Sequence, residues 1–241
     1  WTTTPWTLPA NVALAVNPEL NYSEIALEGE ETPLILCQDA MAILRGRSVQ
    51  ILRTFPGQEL VGLHYQAIFT DLPAQSKTEH QIVPWKDVDP REGTGVVHIA
   101  PGCGKEDFQL SKEVGLIALS PVNDEGVYVS GYAWLEGKSC QTVADEIVAQ
   151  LKERNELLYD YMHLHSYPGC WRCKNELIFR LGGEWFIRSE EIRPRLIEAA
   201  AKVETRPRED DCELRGDAVQ TPGEGGGVEA VSGAGGVSAG I

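Results

Sequence analysis

The first nine residues, Trp1-Thr2-Thr3-Thr4-Pro5-Trp6-Thr7-Leu8-Pro9, constrain this chain more than any other segment. Four hydroxyls, two indoles and two prolines share that short stretch. Pro5 and Pro9 fix φ and bar a regular α-helix. The expectation is a stiff, extended edge that presents hydroxyls beside flat aromatic walls. Such an edge suits a pocket that orients a small polar group or a water while gauging an apolar side chain. A threonine-rich β-strand with tryptophans as core anchors would have the same composition, and these nine residues alone leave both readings open.

With 241 residues, 42% of them hydrophobic and 24% charged, the chain is long enough for one large globular domain. It begins at Trp1 rather than Met, so a fragment or processed product is expected. No signal peptide and no bilayer-length apolar run is legible, which makes the cytoplasm the expected compartment and a membrane an unexpected partner. A net charge of −15 argues against a general nucleic-acid binder. A local basic strip could still hold RNA, and Arg45, Arg47 and Arg53 are close in sequence. Solvated strand arginines are the alternative. Six irregularly spaced cysteines without a secretory signal do not suggest a disulfide framework.

From Trp1 to about residue 138 the chain reads as short strands and turns. Strands are expected near Val12–Val16, Thr32–Leu36 and Val49–Leu52, and Ile82 and Val83 lead on towards a loop. Lys86 to Glu92 is a polar loop. Gly93 to Pro101 is a buried strand with a glycine start and a proline stop. A helix follows, with Glu106 and Asp107 in its first turn and Gly115 as its stop. A second helix is expected from about Ser139 to Asn155, on the stripe Val143, Ile147, Leu151. A third runs from about Ser189 to Val203, with Pro194 near its start. Residues 205–241 are dominated by Gly, Ser and Ala, and a disordered tail is expected there, its abrupt change of character resembling a shifted reading frame.

Chemistry concentrates in Gly93 to Phe108. His98 lies on the buried strand, the turn Pro101-Gly102-Cys103-Gly104 follows, and Asp107 enters the first turn of the helix. There the helix dipole and free amides favour an ionised carboxylate. Such a group is a receptor for an ammonium ion. Each residue has a plainer reading: Asp107 as an ordinary helix-start acid, His98 as a satisfied core histidine. Cys103 beside His98 raises a cysteine nucleophile, weaker than direct attack by water.

Cys170 and Cys173, two residues apart, form half of a tetrahedral zinc site. His163 and His165 precede them at an unusual spacing. Free thiols and a redox pair stay open beside a structural zinc half-site.

Trp1 to Pro9 and Gly93 to Phe108 resemble the two signature motifs of the editing domain of the isoleucyl-tRNA synthetases. The Thr-Thr-Thr-Pro-Trp-Thr wording separates it from the valyl and leucyl relatives. The stretch His165-Ser166-Tyr167-Pro168-Gly169-Cys170-Trp171-Arg172-Cys173, then Glu184-Trp185-Phe186-Ile187, resembles the return from that domain to the catalytic core. The resemblance covers residues 1–204.

It implies an α/β fold: a β-rich, barrel-like editing domain of the valyl/leucyl/isoleucyl type with flanking helices. It divides the chain into an editing domain (1–158), a partial junction with the CxxC half-site (159–204) and the tail (205–241). It also implies hydrolysis of valine misattached to the isoleucine tRNA. An apolar pocket cannot strongly reject a substrate one methylene smaller, a limit for which this family is the standard example. By the same resemblance Asp107 binds the α-ammonium, while Thr2, Thr3 and Thr4 line the pocket and place the water and terminal adenosine. Trp6, Thr7 and His98 contact substrate, His98 as part of the size filter. The implied partners are the misacylated tRNA end and its valine or isoleucine moiety, and a monomer is the expected state. Editing needs no cofactor. Zinc at Cys170 and Cys173 belongs to the full enzyme, with its other ligands upstream, and ATP to the parent catalytic domain. No ATP-handling motif is found, so aminoacylation is not expected. A non-catalytic truncated fragment, or a zinc-binding module, is the alternative.

Overall fold

The computed structural model describes residues 1–203 except 165, 184, 186 and 187, and the backbone of 236–240. The chain divides into two units, Trp1–Leu181 with Val231–Ile241, and Gly182–Ala230. Tyr159–Leu181, expected with the junction, therefore groups with the first unit.

Within that unit, strand β1 (Ala13–Val16) is central to a three-stranded sheet. It runs parallel to β5 (Gln81–Pro84) and antiparallel to β6 (Val97–Ile99). A second sheet is antiparallel, with β2 (Asn21–Leu27) between β3 (Leu34–Cys37) and β4 (Val49–Pro56). The sequence reading passes over β2. Tyr22, Ile25 and Leu27 of this strand are buried, and the register with β4 shifts at Glu24/Ile25, so a bulge interrupts the alternation that would have marked it. Strand β7 (Tyr159–His163) pairs antiparallel with β8 (Gly236–Gly240), a strand inside the segment expected to be disordered. Both three-stranded sheets have open edges, and no closed barrel is present among the described residues.

Helix α1 (Lys105–Val114) starts at the extended Gly104 and stops at Gly115, whose φ of 78° is the left-handed cap that glycine supplies. Acids in its first turn and Lys112 in its last complement the dipole. Helix α2 (Ala144–Glu153) begins about five residues later than the start expected near Ser139. The Cys140 amide donates to the Gly126 carbonyl at 2.9 Å, and Ser139 bridges to Val127. Sheet-like pairing thus takes Ser139 and Cys140, which the expected bounds place in the helix. Ile147 and Leu151 are fully buried and join Trp6, Leu8, Phe69 and Leu135 in one core cluster. At about 1.5–3 kcal/mol for each buried aliphatic side chain, this stripe fastens α2 to the opening segment. In the second unit, α3 (Arg193–Ala201) carries Pro194 in its first turn, as expected.

The opening segment is not extended. Pro5–Ala10 forms a 3-10 helix, started by the Thr7 amide donating to the Thr4 carbonyl at 3.1 Å. A proline at the first turn loses no hydrogen bond there and already has the required φ. The coil is short enough that Pro9 does not break it. It buries Trp6, Thr7 and Leu8.

Candidate active site

β6 lies antiparallel to β1 with His98 opposite Leu14. This register sets the two sequence motifs side by side. The chain then turns through Pro101–Gly104 into α1. Gly102 makes the turn possible: a Cβ there would fall 1.7 Å from the Leu119 carbonyl oxygen. At Gly93 (φ +58°) a Cβ would lie 2.0 Å from the Trp1 indole, so the indole packs directly on backbone.

Between these elements is a cavity of about 350 Å³, within the range of small-ligand sites. Thr2, Thr3, Thr4, Trp6, Thr7, His98 and Asp107 all line it. These are the seven pocket residues picked out in the sequence. Trp85 also lines it, as do Asp87, Asp89 and Glu92 from the segment read only as a polar loop, and Tyr167 and Phe179 add to the rim. Proximity of that loop to β6 depends on the parallel pairing of β5 with β1, which no local pattern announces. Five carboxylates line the cavity, from Asp87, Asp89, Glu92, Glu106 and Asp107, while none of the described lining residues is Lys or Arg. The site therefore favours a cationic guest.

The Asp107 Oδ2 accepts the Ala100 amide at 2.7 Å, which fixes the carboxylate at the end of β6. Its pKa is raised from the ordinary 3.8, chiefly by burial, against the lowering effect of the Ala100 amide. This corrects the sequence expectation. The helix start favours ionisation, but loss of solvent at the cavity wall outweighs it. An arriving ammonium would reverse the balance.

His98 is a neutral imidazole whose protonation is dictated by its partners. The Asn11 Nδ2 donates to the Ala13 carbonyl at 2.9 Å, and the Asn11 Oδ1 accepts the Tyr65 hydroxyl at 2.6 Å. The amide orientation is thereby pinned at both ends, so Nδ2 faces the His98 Nδ1 at 2.7 Å and donates to it. The proton of His98 then sits on Nε2 and is donated to the Thr7 Oγ1 at 3.0 Å. Thr7 passes its own proton to the Thr4 carbonyl at 2.9 Å. Burial pushes the His98 pKa down to about 3. With both nitrogens engaged and no charge near neutral pH, His98 is a wall rather than an acid or base.

The remaining hydroxyls are ordered by the same coil. The Thr2 Oγ1 accepts the Thr4 amide at 3.0 Å, and the Thr3 and Thr4 hydroxyls lie 3.4 Å apart. The Tyr128 hydroxyl donates to the Trp6 carbonyl and ties the coil to the core. Cys103 is buried, and burial raises its thiol well above the ordinary 9.0. A protonated, buried thiol is no nucleophile.

Outside the cavity, the arginines do not form a free basic strip. Arg47 pairs with Glu30 at 2.8 Å, Arg53 with Glu24 at 2.7 Å, and Arg45 lies 4.4 Å over the Tyr161 ring. Cys170 and Cys173 sit in a turn where the Cys170 amide donates to the Asn175 carbonyl at 2.8 Å. Backbone amides of Cys173 and Arg172 lower the Cys170 pKa, a feature that suits a thiolate ligand. No third His, Cys, Asp or Glu joins them among the described residues. His165, Glu184, Phe186, Ile187 and Cys212 lie outside the described residues. No helix of the described residues is long and apolar enough to cross a membrane.

No protein-family model matches the chain. An isoleucine–tRNA ligase of Archaeoglobus fulgidus is 38% identical over 210 residues, covering 84% of this chain and 20% of the ligase. One from Methanothermobacter marburgensis is 36% identical over 208 residues, 86% of this chain and 20% of the ligase. One from Thermococcus kodakarensis is 38% identical over 209 residues, 82% and 19%. The chain spans about a fifth of the length of the curated relatives it matches. Among solved structures, GlLeuRS-CP1 superposes with a TM-score of 0.53 at 15% identity, over 64% of this chain and 80% of that one. The P. falciparum cytosolic leucyl-tRNA synthetase editing domain gives 0.53 at 12% identity, over 64% and 76%. At such identities the likeness is one of fold. The chain is therefore homologous to one segment of the isoleucine–tRNA ligases, and that segment has the fold of a tRNA-synthetase editing domain.

Proposed function

We propose that this chain hydrolyses the ester of valine misattached to the isoleucine tRNA. The carrying observation is the convergence of Asp107, the three consecutive threonines, Trp6, Thr7 and His98 on one acid-lined cavity. Asp107 receives the α-ammonium of the aminoacyl group. Thr2, Thr3 and Thr4 place the terminal ribose and a water. Trp6 and His98 bound the valine side chain, and isoleucine is excluded by size. Water attacks the ester carbonyl, the bond to the ribose oxygen breaks, and that oxygen takes up a proton. Valine and a free tRNA end result. A hydroxyl of the ribose assists the proton transfer.

The reaction calls on no cofactor. Cys170 and Cys173 fit two positions of a structural zinc site, and the other two ligands would come from the longer protein. The tRNA body faces a chain of net charge −15, so its grip also belongs to the longer protein.

A second reading is a segment that needs the rest of the ligase to act. Leu164 (84% exposed) and Trp171 (78%) favour it, as apolar residues placed for a partner surface. Single-turnover deacylation of valyl-tRNA(Ile) by the folded chain, beside an isoleucyl-tRNA(Ile) control, separates the two. Release of valine with isoleucine spared supports hydrolysis. No release at saturating chain supports the second reading.

A further inference from the structure

Behind the candidate site lies a second cavity of about 170 Å³, lined by Leu8, Leu14, Tyr65, Ala67 and Ile68 among others. Trp1 and His98 line both cavities. The His98 Nε2 bonds Thr7, which lines only the first, and its Nδ1 bonds Asn11, which lines only the second. The imidazole is thus a partition with space on either side. His98 is buried yet borders both cavities, so close packing, which ordinarily immobilises a core side chain, encloses this wall only in part. Its position depends on its hydrogen bonds.

Those bonds run outward in series. Thr7 is held by the Thr4 carbonyl, and Asn11 is held by the Ala13 carbonyl and the Tyr65 hydroxyl. Tyr65 is itself fixed: its amide donates to the His80 carbonyl at 3.2 Å, and its ring meets the His80 ring edge-on at 5.5 Å. Tyr65 does not line the first cavity, and its hydroxyl reaches His98 only through Asn11.

Resting on the hydrolytic reading above, we propose that Tyr65 is a positioning residue for substrate size selection, its hydroxyl clamping Asn11 and through it the His98 wall. A wall backed by packing would tolerate loss of one distant hydroxyl. A wall backed by a void gives way into it, and the site cavity gains room for one more methylene.

The test is Tyr65→Phe, which removes the hydroxyl and keeps the ring. The expected result is a roughly 5- to 10-fold rise in isoleucyl-tRNA(Ile) hydrolysis relative to valyl-tRNA(Ile), the size of effect one lost buried hydrogen bond gives. It should be expressed in KM for the isoleucyl ester more than in kcat. His98→Ala sets the upper limit of relaxed selection. A second readout needs no activity: ¹⁵N NMR of His98 should show the neutral Nε2–H tautomer in the native chain and a broadened or mixed signal in Tyr65→Phe. If the native chain hydrolyses neither ester, the hydrolytic reading fails while the NMR arm still tests the clamp. An unaltered His98 signal in folded Tyr65→Phe, or unaltered selection, overturns the proposal.

Discussion

Replacing Asp107 by Asn separates binding chemistry from folding, because the two effects run in opposite directions. The Asp107 Oδ2 accepts the Ala100 amide at 2.7 Å, and an Asn carbonyl oxygen can accept the same bond. What disappears is the charge. Because burial raises the native pKa above 3.8, the native state holds a proton that the unfolded chain has already released over that interval. The group's contribution to stability is therefore greatest below its ordinary pKa and declines as pH rises through the raised one. At neutral pH the buried carboxylate costs stability, and Asp107→Asn relieves it. The melting temperature should hold or rise. Hydrolysis should fall, since an ammonium loses a charged partner worth about 1.5–3 kcal/mol, or roughly 10- to 150-fold in kcat/KM. Deacylation of valyl-tRNA(Ile) and thermal melting on the same preparations decide it. A variant that melts several degrees lower with kcat/KM unchanged would refute the placement of Asp107 in the site.

The pH profile of kcat/KM should lose activity towards acid with a midpoint above 3.8, where Asp107 takes up a proton. His98, held down to about 3, should add no limb near 6.5; an inflection there would show that it titrates in the working range. Among the cysteines of the described residues, Cys170 and Cys173 should react first under native alkylation, Cys170 having a lowered pKa, while the buried Cys37, Cys103 and Cys140 stay unmodified by mass spectrometry. Early labelling of Cys103 would reopen a thiol mechanism. Gly102→Ala should lower stability by about 1–3 kcal/mol or more, read from the urea midpoint, because its Cβ would meet the Leu119 carbonyl at 1.7 Å. An unchanged midpoint would mean the turn relaxes freely.

The seven named residues that line the candidate cavity were legible because they cluster in two local segments, each with residue types that carry their chemistry on their face. Helix α1 was legible for a similar reason: its acids, its Lys112 and Gly115 are local signals. Whatever depends on tertiary placement was not. The sign of the Asp107 shift follows from how deeply the wall is buried, which the helix dipole does not report. The coil at Pro5–Ala10 defeats a rule about α-helices because a 3-10 turn makes fewer demands on proline. Asn11 and Tyr65 gave no signal at all. Each is ordinary in its own segment, and only the β1–β6 register brings His98 to Asn11 and, through it, to Tyr65.

On the proposed reading, the bonds inside the cavity bear on the choice of nucleophile. Thr7 already receives a proton from His98 and gives one to the Thr4 carbonyl, so its oxygen has no base waiting for it. The Thr2 oxygen is occupied by the Thr4 amide. His98 spends its lone pair on Asn11 and its proton on Thr7, so it can neither accept nor deliver one in turn. Cys103 keeps its proton. Thr2, Thr7, His98 and Cys103 are thus already committed to holding the cavity in shape. A solvent water, oriented by threonine oxygens and brought to an ester whose ammonium is held at Asp107, needs none of them to react. Catalysis then comes from placement more than from proton transfer by the protein, and a site built for placement is also one that measures size, since both depend on walls that do not move.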